Sequence, residues 1–198
     1  MARESRLESF IHRITAQRAC LNYAALLVRG LGGPVIELGL GNGRTYDHLR
    51  LLFPDRDIYV FERRIEAHPD CVPDAQHAIV GDFRVTMPNA LARIGRRAVF
   101  IHGDFGSADK AKTAALARWL GPRIVELAAP GAIVATDQVL TTPGLEPIPL
   151  PAAVSAGRYF MYRVRLVPVR NRPTPARGRR RAPTRARVVR PRRRRGRS

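Results

Sequence analysis

The stretch that decides the fold is residues 35–43, VIELGLGNG. Its first four positions are mostly apolar and partly β-branched, as in a buried strand. Three glycines follow at alternate positions, Gly39, Gly41 and Gly43, and apolar residues recur at helical spacing through residues 44–53. Because glycine lets a backbone approach a ligand closely, the stretch predicts a strand, a ligand-binding loop and a helix.

The same alternation continues along the chain. Short apolar runs at residues 58–61, 78–80, 98–101 and 132–135 predict four more strands, with helical patterns between them. Strands that alternate with helices form βαβ units and a parallel sheet. The predicted fold is therefore α/β and Rossmann-like: a doubly wound, mostly parallel sheet with helices on both faces.

Three further features complete the predicted fold. Thr86 is the expected N-cap of the helix before the fourth strand. The next helix is expected to begin near Ser107 and to break at residues 121–122, Gly-Pro. Residues 158–164 are rich in aromatic residues and follow a gap too short for a crossover helix. They predict an antiparallel C-terminal strand at the edge of the sheet.

Composition divides the chain of 198 residues into three parts. Residues 1–33 predict an amphipathic N-terminal helix packed on the domain, and residues 34–169 a ligand-binding domain. Residues 170–198 contain 14 arginines and no acidic residue, so they carry most of the net charge of +19. Such a segment is too poor in apolar residues to build a core, and we expect a disordered Arg/Pro-rich tail.

Several classes of protein are excluded by the composition. No uncharged apolar stretch approaches the ~18 residues of a membrane-spanning helix, and the N-terminus lacks the apolar run of a signal peptide. Cys20 and Cys71 show neither a disulfide framework nor metal-ligand spacing. We expect a cytoplasmic protein without a membrane contact, and no metal site is predicted.

Two acidic residues indicate the kind of ligand. Glu62 ends the second strand, where a carboxylate can accept hydrogen bonds from both ribose hydroxyls, so a cofactor that contains a nucleoside is expected. A dinucleotide fingerprint is G-x-G-x-x-G, but here the third glycine comes one residue early. Glu37, two residues before Gly39, would repel a phosphate and suits a cationic amino group and a sulfonium. A nicotinamide or flavin cofactor is the alternative.

At these residues the sequence resembles the class I S-adenosylmethionine (SAM) dependent methyltransferases, whose first motif is a hydrophobic strand followed by acid-x-G-x-G-x-G. The resemblance implies that the glycine loop holds the methionine portion of SAM, and that Glu37 orders this loop or binds the amino group. It also implies that Glu62 binds the ribose and that Asp82 and Phe83 meet the adenine, although these two residues also suit an ordinary turn. The implied cofactor-binding residues are Glu37, Gly39, Leu40, Gly41, Asn42, Gly43, Glu62, Asp82 and Phe83.

Three shorter segments support a narrower resemblance. GDF at residues 81–83, HGD at residues 102–104 and GRYF at residues 157–160 are similar to those of a small bacterial methyltransferase family, family 17. The compact length and the long N-terminal helix fit the same family. Its members have no assigned substrate, so the resemblance leaves the methyl acceptor open.

Methyl transfer from SAM is an in-line displacement, and the enzyme mainly aligns the acceptor with the methyl group. A nitrogen or oxygen acceptor also has to lose a proton, which a histidine or carboxylate can take. His102 and Asp104 end the fourth strand and Asp137 ends the fifth. They are the catalytic candidates, with His102 as the favoured base. A structural role is the alternative for each of them.

The expected acceptor is a small molecule, since the chain has no obvious substrate domain. The alternative for so short a chain is a homodimer, in which a second subunit completes the active site. The alternative function is that of a nucleic-acid methyltransferase, or of an RNA- or DNA-associated SAM-binding protein without catalysis. In that case the tail of residues 170–198 contacts phosphates without sequence specificity. An extension without any function explains the tail equally well.

Overall fold

A seven-stranded sheet forms the centre of the structure, a computed structural model that describes residues 4–165. Within these residues, none of the helices combines the length and the apolar character that crossing a bilayer requires. The strands in chain order are β1 (Val35–Leu38), β2 (Ile58–Glu62), β3 (Ala78–Val80), β4 (Ala98–Gly103), β5 (Ala128–Thr136), β6 (Leu145–Pro147) and β7 (Phe160–Val164).

Five α-helices accompany the sheet, together with two short 3-10 turns at Pro69–Cys71 and Met87–Asn89. α1 is the longest and precedes the first strand, and the others lie between strands. The helices are α1 (Arg6–Leu27), α2 (Arg44–Leu52), α3 (Phe83–Thr86), α4 (Ala90–Ile94) and α5 (Lys110–Leu127).

The strand order is β3-β2-β1-β4-β5-β7-β6. The first five strands in this order pair in parallel, and β7 pairs antiparallel with β5, which confirms the predicted doubly wound sheet with an antiparallel C-terminal strand. The predicted edge position of this C-terminal strand was wrong, because β6 pairs antiparallel with β7 and takes the outermost position. Residues 141–151 contain four prolines and no helical pattern, so the sequence did not indicate this short strand.

Alternate residues of each strand enter two separate cores, one on each face of the sheet. Ile36 and Leu38 of β1 pack on the face covered by α4 and α5, and Val35 packs on the face covered by α1 and α2. Glu37 therefore points toward the α1 and α2 face. Since β1 lies between β2 and β4, its carboxyl end and the glycine loop lie at the switch point of the sheet.

α1 is buried along only part of its length. Its buried residues, Ala16, Gln17, Cys20, Leu21 and Ala24, all lie from the middle of the helix onward. The apolar residues of the first two turns face solvent, with Leu7 67%, Phe10 46% and Ile11 44% exposed. The second half packs against the sheet and α2, whereas the apolar pattern alone predicted one continuous buried stripe.

One helix prediction was correct in position only, and one was wrong. Thr86 is the N-cap residue of the 3-10 turn Met87–Asn89, but its hydroxyl donates to the carbonyl of Asp82 and makes no cap. The side-chain cap after β3 is Asp82, whose carboxylate accepts a hydrogen bond from the backbone N–H of Arg84. α5 begins after its N-cap Asp109 and continues through Pro122 to Leu127 without a break. The glycine before Pro122 is used for close packing, since a Cβ at Gly121 would collide with Thr142 of the following loop. A helix end was therefore the wrong interpretation of the Gly-Pro pair.

Candidate cofactor-binding site

The glycine loop between β1 and α2 depends on three left-handed backbone positions, at Gly39 (φ 94°), Gly41 (φ 52°) and Gly43 (φ 82°). A Cβ at Gly39 would lie 2.7 Å from the carbonyl oxygen of Asp104, and one at Gly43 would collide with Cys71. At Gly41 a Cβ would have open space around it. Two of the glycines therefore allow close packing, and the middle one leaves its backbone facing free space.

Glu62, at the end of β2, holds this loop. Its Oε2 accepts hydrogen bonds from the backbone N–H groups of Leu40 (2.8 Å) and Gly41 (3.2 Å). Its Oε1 accepts from the N–H groups of Arg63 (2.6 Å) and Arg64 (3.4 Å). A carboxylate has about four acceptor positions, so a ribose hydroxyl has to share or replace the longer bonds.

A cavity of about 440 Å³ lies beside the loop, over the carboxyl ends of β1, β2, β3 and β4. The carboxylate of Asp82 accepts from the guanidinium of Arg63 at 3.2 Å at the margin of this cavity, and Phe83 forms part of its wall. The residues that line it are Gly39, Glu62, Arg63, Gly81, Asp82, Phe83, Arg84, Asp104, Phe105, Gly106, Lys112 and Leu116.

A smaller cavity of about 130 Å³ lies between α1 and the other side of the glycine loop. It is bordered by two arginines, one on α1 and one at the start of α2. The residues that line it are Arg13, Ile14, Gln17, Gly39, Leu40, Gly41, Asn42, Arg44, Thr45 and Asp104. Gly39 and Asp104 border both cavities, so the two spaces share part of their wall.

The side chain of Asp104 is fixed by α1. Its Oδ2 accepts hydrogen bonds from the guanidinium of Arg13 at 3.0 Å and from the amide of Gln17 at 2.9 Å. Both donors project from the same helix four residues apart, hence on one face. α1 therefore forms one wall of the smaller cavity.

Asp137, after β5, braces the loop that follows β4. Its two carboxylate oxygens accept from the backbone N–H groups of Phe105 (3.2 Å) and Gly106 (2.9 Å). The amide of Gln138 donates a further bond at 2.7 Å. Burial raises the pKa of the Asp137 carboxyl above its ordinary value, although these hydrogen bonds oppose the shift.

His102 and Glu37 are fully buried on neighbouring strands, at paired positions of β4 and β1. His102 Nδ1 lies 3.4 Å from Glu37 Oε1, and His102 Nε2 lies 2.5 Å from the hydroxyl of Tyr159. Glu37 Oε1 also accepts a hydrogen bond from the hydroxyl of Thr45 in the first turn of α2. Both nitrogens of His102 are thus directed at protein groups, and His102 lines neither cavity.

The structure brings most of the predicted residues together. Gly39, Glu62, Asp82, Phe83 and Asp104 line the larger cavity, and Gly39, Leu40, Gly41, Asn42 and Asp104 line the smaller one. The predicted residues that line neither cavity are Glu37, Gly43, His102 and Asp137.

Arg13, Gln17 and Thr45 were missed from the sequence. Gln17 carried a usable signal, because it stands three residues after Ile14 and four before Leu21, inside the apolar stripe of the N-terminal helix. A polar residue in such a stripe is buried and needs a partner. Arg13 and Thr45 had no comparable signal.

The cavity residues fit SAM. Three carboxylates, of Glu62, Asp82 and Asp104, line the larger cavity together with three cationic side chains, of Arg63, Arg84 and Lys112, so both acceptors and donors are present for the polar groups of a nucleoside. Open space beside the left-handed Gly41 accommodates a ligand against the backbone of the loop. Arginines beside the smaller cavity complement a carboxylate, such as the one at the methionine end of SAM.

Comparison with known proteins decides the family. Residues 4–164 match methyltransferase family 17, described as S-adenosyl-L-methionine methyltransferase. The chain belongs to this family. SAM is accordingly the methyl donor of this methyltransferase, as the glycine loop indicated. None of the curated proteins compared with the chain matches it.

Solved structures agree with the family. A crystal structure of an S-adenosyl-L-methionine methyltransferase from Silicibacter pomeroyi DSS-3 is 45% identical, with a TM-score of 0.77. The match covers 81% of this chain and 99% of that one.

Two further structures are more distant. The antibiotic-resistance methyltransferase Kmr is 15% identical, with a TM-score of 0.48 and coverage of 76% and 93%. TrmN from Thermus thermophilus is 16% identical, with a TM-score of 0.47 and coverage of 78% and 52%. At these values neither bears on the acceptor of this methyltransferase.

Proposed function

We propose that this methyltransferase transfers the methyl group of SAM to a small molecule. The observation that supports this is the size of the site: a cavity of about 440 Å³ and one of about 130 Å³ share Gly39 and Asp104 in their walls. Together they have the dimensions of a site for a cofactor and a compact acceptor. Among residues 4–165, strand ends, loops and parts of α1, α2, α3 and α5 border these spaces, and no further domain covers them.

In the proposed placement, the nucleoside of SAM occupies the larger cavity and its methionine end the smaller one. Glu62 binds the ribose, and Asp82 and Phe83 meet the adenine. The loop of residues 39–43 lies along the cofactor. Glu37, just before the loop, accepts a hydrogen bond from the hydroxyl of Thr45, just after it, and so fixes the two ends of the loop. Arg13 is the residue of α1 placed to meet the carboxylate of the methionine end.

Bound SAM supplies an electrophilic methyl group with a good leaving group, so the residues of the chain mainly orient the acceptor. Asp104 borders both cavities and is the carboxylate placed to hold the acceptor, or to take its proton where the acceptor atom needs to lose one. Asp137 does not line the larger cavity. Its carboxylate accepts hydrogen bonds from the backbone of Phe105 and Gly106 and so fixes the loop that forms part of the cavity wall.

The placement of the cofactor is tested with two ligands, S-adenosylhomocysteine and 5′-methylthioadenosine, of which the second lacks the amino-acid end. Arg13→Ala is expected to weaken binding of S-adenosylhomocysteine roughly tenfold and to leave 5′-methylthioadenosine unaffected. Arg18→Ala is the control, because Arg18 is an exposed residue of the same helix. Equal losses for both ligands with Arg13→Ala would contradict the placement.

The acceptor class is tested by transfer of labelled methyl groups from SAM. The full chain is incubated with a cell extract divided by size into a small-molecule fraction, a protein fraction and a nucleic-acid fraction. Label in the small-molecule fraction that depends on an intact Asp104 supports the proposal. Label confined to nucleic acid that disappears after nuclease treatment would overturn it.

A second candidate function is methylation of nucleic acid, favoured by the 14 arginines of residues 170–198. These residues lie outside the part of the chain that the structure describes, so this prediction remains one from sequence. Binding of arginines to nucleic-acid phosphates weakens steeply as the salt concentration rises. Three results together would support this candidate. RNA binding by the full chain is lost at high salt concentration, a chain that ends at residue 169 does not bind RNA, and label appears in the nucleic-acid fraction.

We also propose a cytoplasmic location, which Cys20 and Cys71 support because both are free thiols. Burial raises the pKa of the Cys20 thiol to about 12, so this cysteine stays protonated and unreactive. Fractionation of cells that express the full chain tests the location, and recovery of the protein outside the cytoplasm would contradict it.

A further inference from the structure

A continuous line of polar side chains runs beneath the cofactor site, from α2 to α1. In order it consists of Thr45, Glu37, His102, Tyr159, Gln17 and Asp104. Its four central members are buried: Glu37, His102 and Tyr159 are fully enclosed, and Gln17 is 4% exposed. One end lies at the base of the glycine loop, and the other is the carboxylate that borders both cavities.

The donors and acceptors of this line have one consistent direction. The amide nitrogen of Gln17 donates only, so the hydroxyl oxygen of Tyr159 accepts from it, at 3.5 Å. Burial raises the pKa of Tyr159 well above its ordinary value, so the hydroxyl keeps its single proton. Among the described residues, the acceptor within reach of that proton is His102 Nε2, at 2.5 Å.

The direction fixes the ring of His102. A nitrogen that accepts a proton from Tyr159 carries none of its own, so the neutral ring has its proton on Nδ1. Nδ1 faces Glu37 Oε1 at 3.4 Å, a separation longer than a good hydrogen bond, and within residues 4–165 it has no other partner. Neither nitrogen of His102 is therefore available to take a proton from a methyl acceptor.

We propose that His102 and Tyr159 are positioning residues for methyl transfer. Through Gln17 they hold Asp104 in place, and through Glu37 and Thr45 they hold the glycine loop. This role replaces the proton transfer that the sequence suggested for His102. The inference rests on the proposed function, because it requires the cofactor to lie between Asp104 and the loop.

The physical benefit of such a line is preorganisation. Asp104 and the glycine loop both border the proposed cofactor site, and this one line of buried polar side chains reaches both before a ligand binds. Loss of one member leaves a buried partner unsatisfied and lets both walls of the site move. The effect should therefore be visible in cofactor affinity, without any knowledge of the methyl acceptor.

The first test uses the unmodified full chain labelled with ¹⁵N. Of its five histidines, one is expected to show a neutral ring with the proton on Nδ1, in slow exchange with water. The signal is assigned by its absence in His102→Gln. A His102 ring with its proton on Nε2, or with protons on both nitrogens at neutral pH, would overturn the inference.

The second test measures affinity for S-adenosylhomocysteine in matched variants. Tyr159→Phe is expected to weaken binding roughly five- to tenfold. Tyr162→Phe is the control, because it also removes a buried tyrosine hydroxyl, one that accepts from the backbone N–H of Leu140 at 2.9 Å away from this line. Binding within about twofold of the wild type is expected for that control.

Gln17→Leu provides a second variant should Tyr159→Phe fail to fold. It is expected to weaken binding as much as Tyr159→Phe, and the double variant should lose no more than either single one, because the residues act as a unit. A wild-type chain that binds no S-adenosylhomocysteine would overturn the proposed function as well. Wild-type binding combined with equal affinities for Tyr159→Phe and Tyr162→Phe would overturn this inference alone.

Discussion

Glu62 combines two tasks at one carboxylate. It holds the glycine loop through the N–H groups of Leu40 and Gly41, and it lines the cavity in which we place the ribose. Glu62→Ala is expected to weaken binding of SAM, S-adenosylhomocysteine and 5′-methylthioadenosine alike, by about 2 kcal/mol or more. Calorimetric titration measures this effect.

Glu62→Gln is the matched variant, because it keeps the shape of the side chain and one acceptor oxygen. We expect it to bind the three ligands with an affinity between those of the wild type and Glu62→Ala. Unchanged affinity in Glu62→Ala would exclude the ribose contact.

Gly39 is a position of the loop at which a side chain is not tolerated. Its φ of 94° disfavours other residues, and a Cβ there would lie 2.7 Å from the carbonyl oxygen of Asp104. Gly39→Ala is expected to abolish measurable binding of S-adenosylhomocysteine and to lower the free energy of unfolding by more than about 2 kcal/mol. Thermal and denaturant unfolding provide the second value.

Gly95→Ala separates backbone strain from the collision. Gly95 has a similar φ of 80°, ends α4, and has open space where a Cβ would be. We expect it to cost about 1 kcal/mol of stability and to leave binding unchanged. If Gly39→Ala behaved like Gly95→Ala, the close contact with Asp104 would have no role in the site.

At this scale the sequence indicated the residues whose chemistry follows from local spacing. Glu37 and Glu62 were found because each stands at a fixed distance from a glycine loop or strand end. Arg13 and Gln17 reach the site from a helix that is distant in sequence, so no local spacing places them there. His102 lies near the end of β4, as its apolar run predicted, but its burial away from both cavities and its contact with Tyr159 depend on the tertiary structure.

The first helix shows how packing differs along one element. Leu21 is 1% exposed and Leu7 is 67% exposed, although both belong to the same apolar pattern of α1. Leu21→Ala is expected to lower the free energy of unfolding by roughly 2–5 kcal/mol, and Leu7→Ala by less than about 0.5 kcal/mol. Denaturant unfolding of the full chain measures both values.

A large cost for Leu7→Ala would mean that the first turns of α1 are covered in solution, contrary to this expectation. If that cost increased with protein concentration, the cover would be a second copy of the chain. The pair of leucines therefore also tests the homodimer that the sequence left open.

Elements with an uninterrupted pattern were predicted well, and the others were not. The five parallel strands each carry a short apolar run, and in the four inner ones both faces are buried along that run, whereas Val80 of the edge strand β3 is exposed. α5 was expected to break at residues 121–122, but its tertiary packing against Thr142 keeps Gly121 and Pro122 inside one helix. β6 has only three residues and a proline, which is too little pattern to indicate a strand.

For the whole molecule, residues 35–43 carry the resemblance to SAM-dependent methyltransferases, and the fold follows from the apolar runs of the strands along the chain. The methyl acceptor does not, because it depends on the shape of the space near Asp104 and on α1, which no short motif encodes. The net positive charge is unevenly distributed along the chain. Residues 1–169 hold 21 basic and 16 acidic residues, and residues 170–198 add 14 arginines.

The most direct test of the central claim is a calorimetric titration of SAM, S-adenosylhomocysteine and NAD into the full chain and into a chain that ends at residue 169. We predict that SAM and S-adenosylhomocysteine bind both chains with equal affinity and that NAD binds neither, because the glycine loop and its carboxylates lie within residues 4–164. Absence of SAM binding, or binding of NAD at the same site, would contradict the assignment of this loop to SAM.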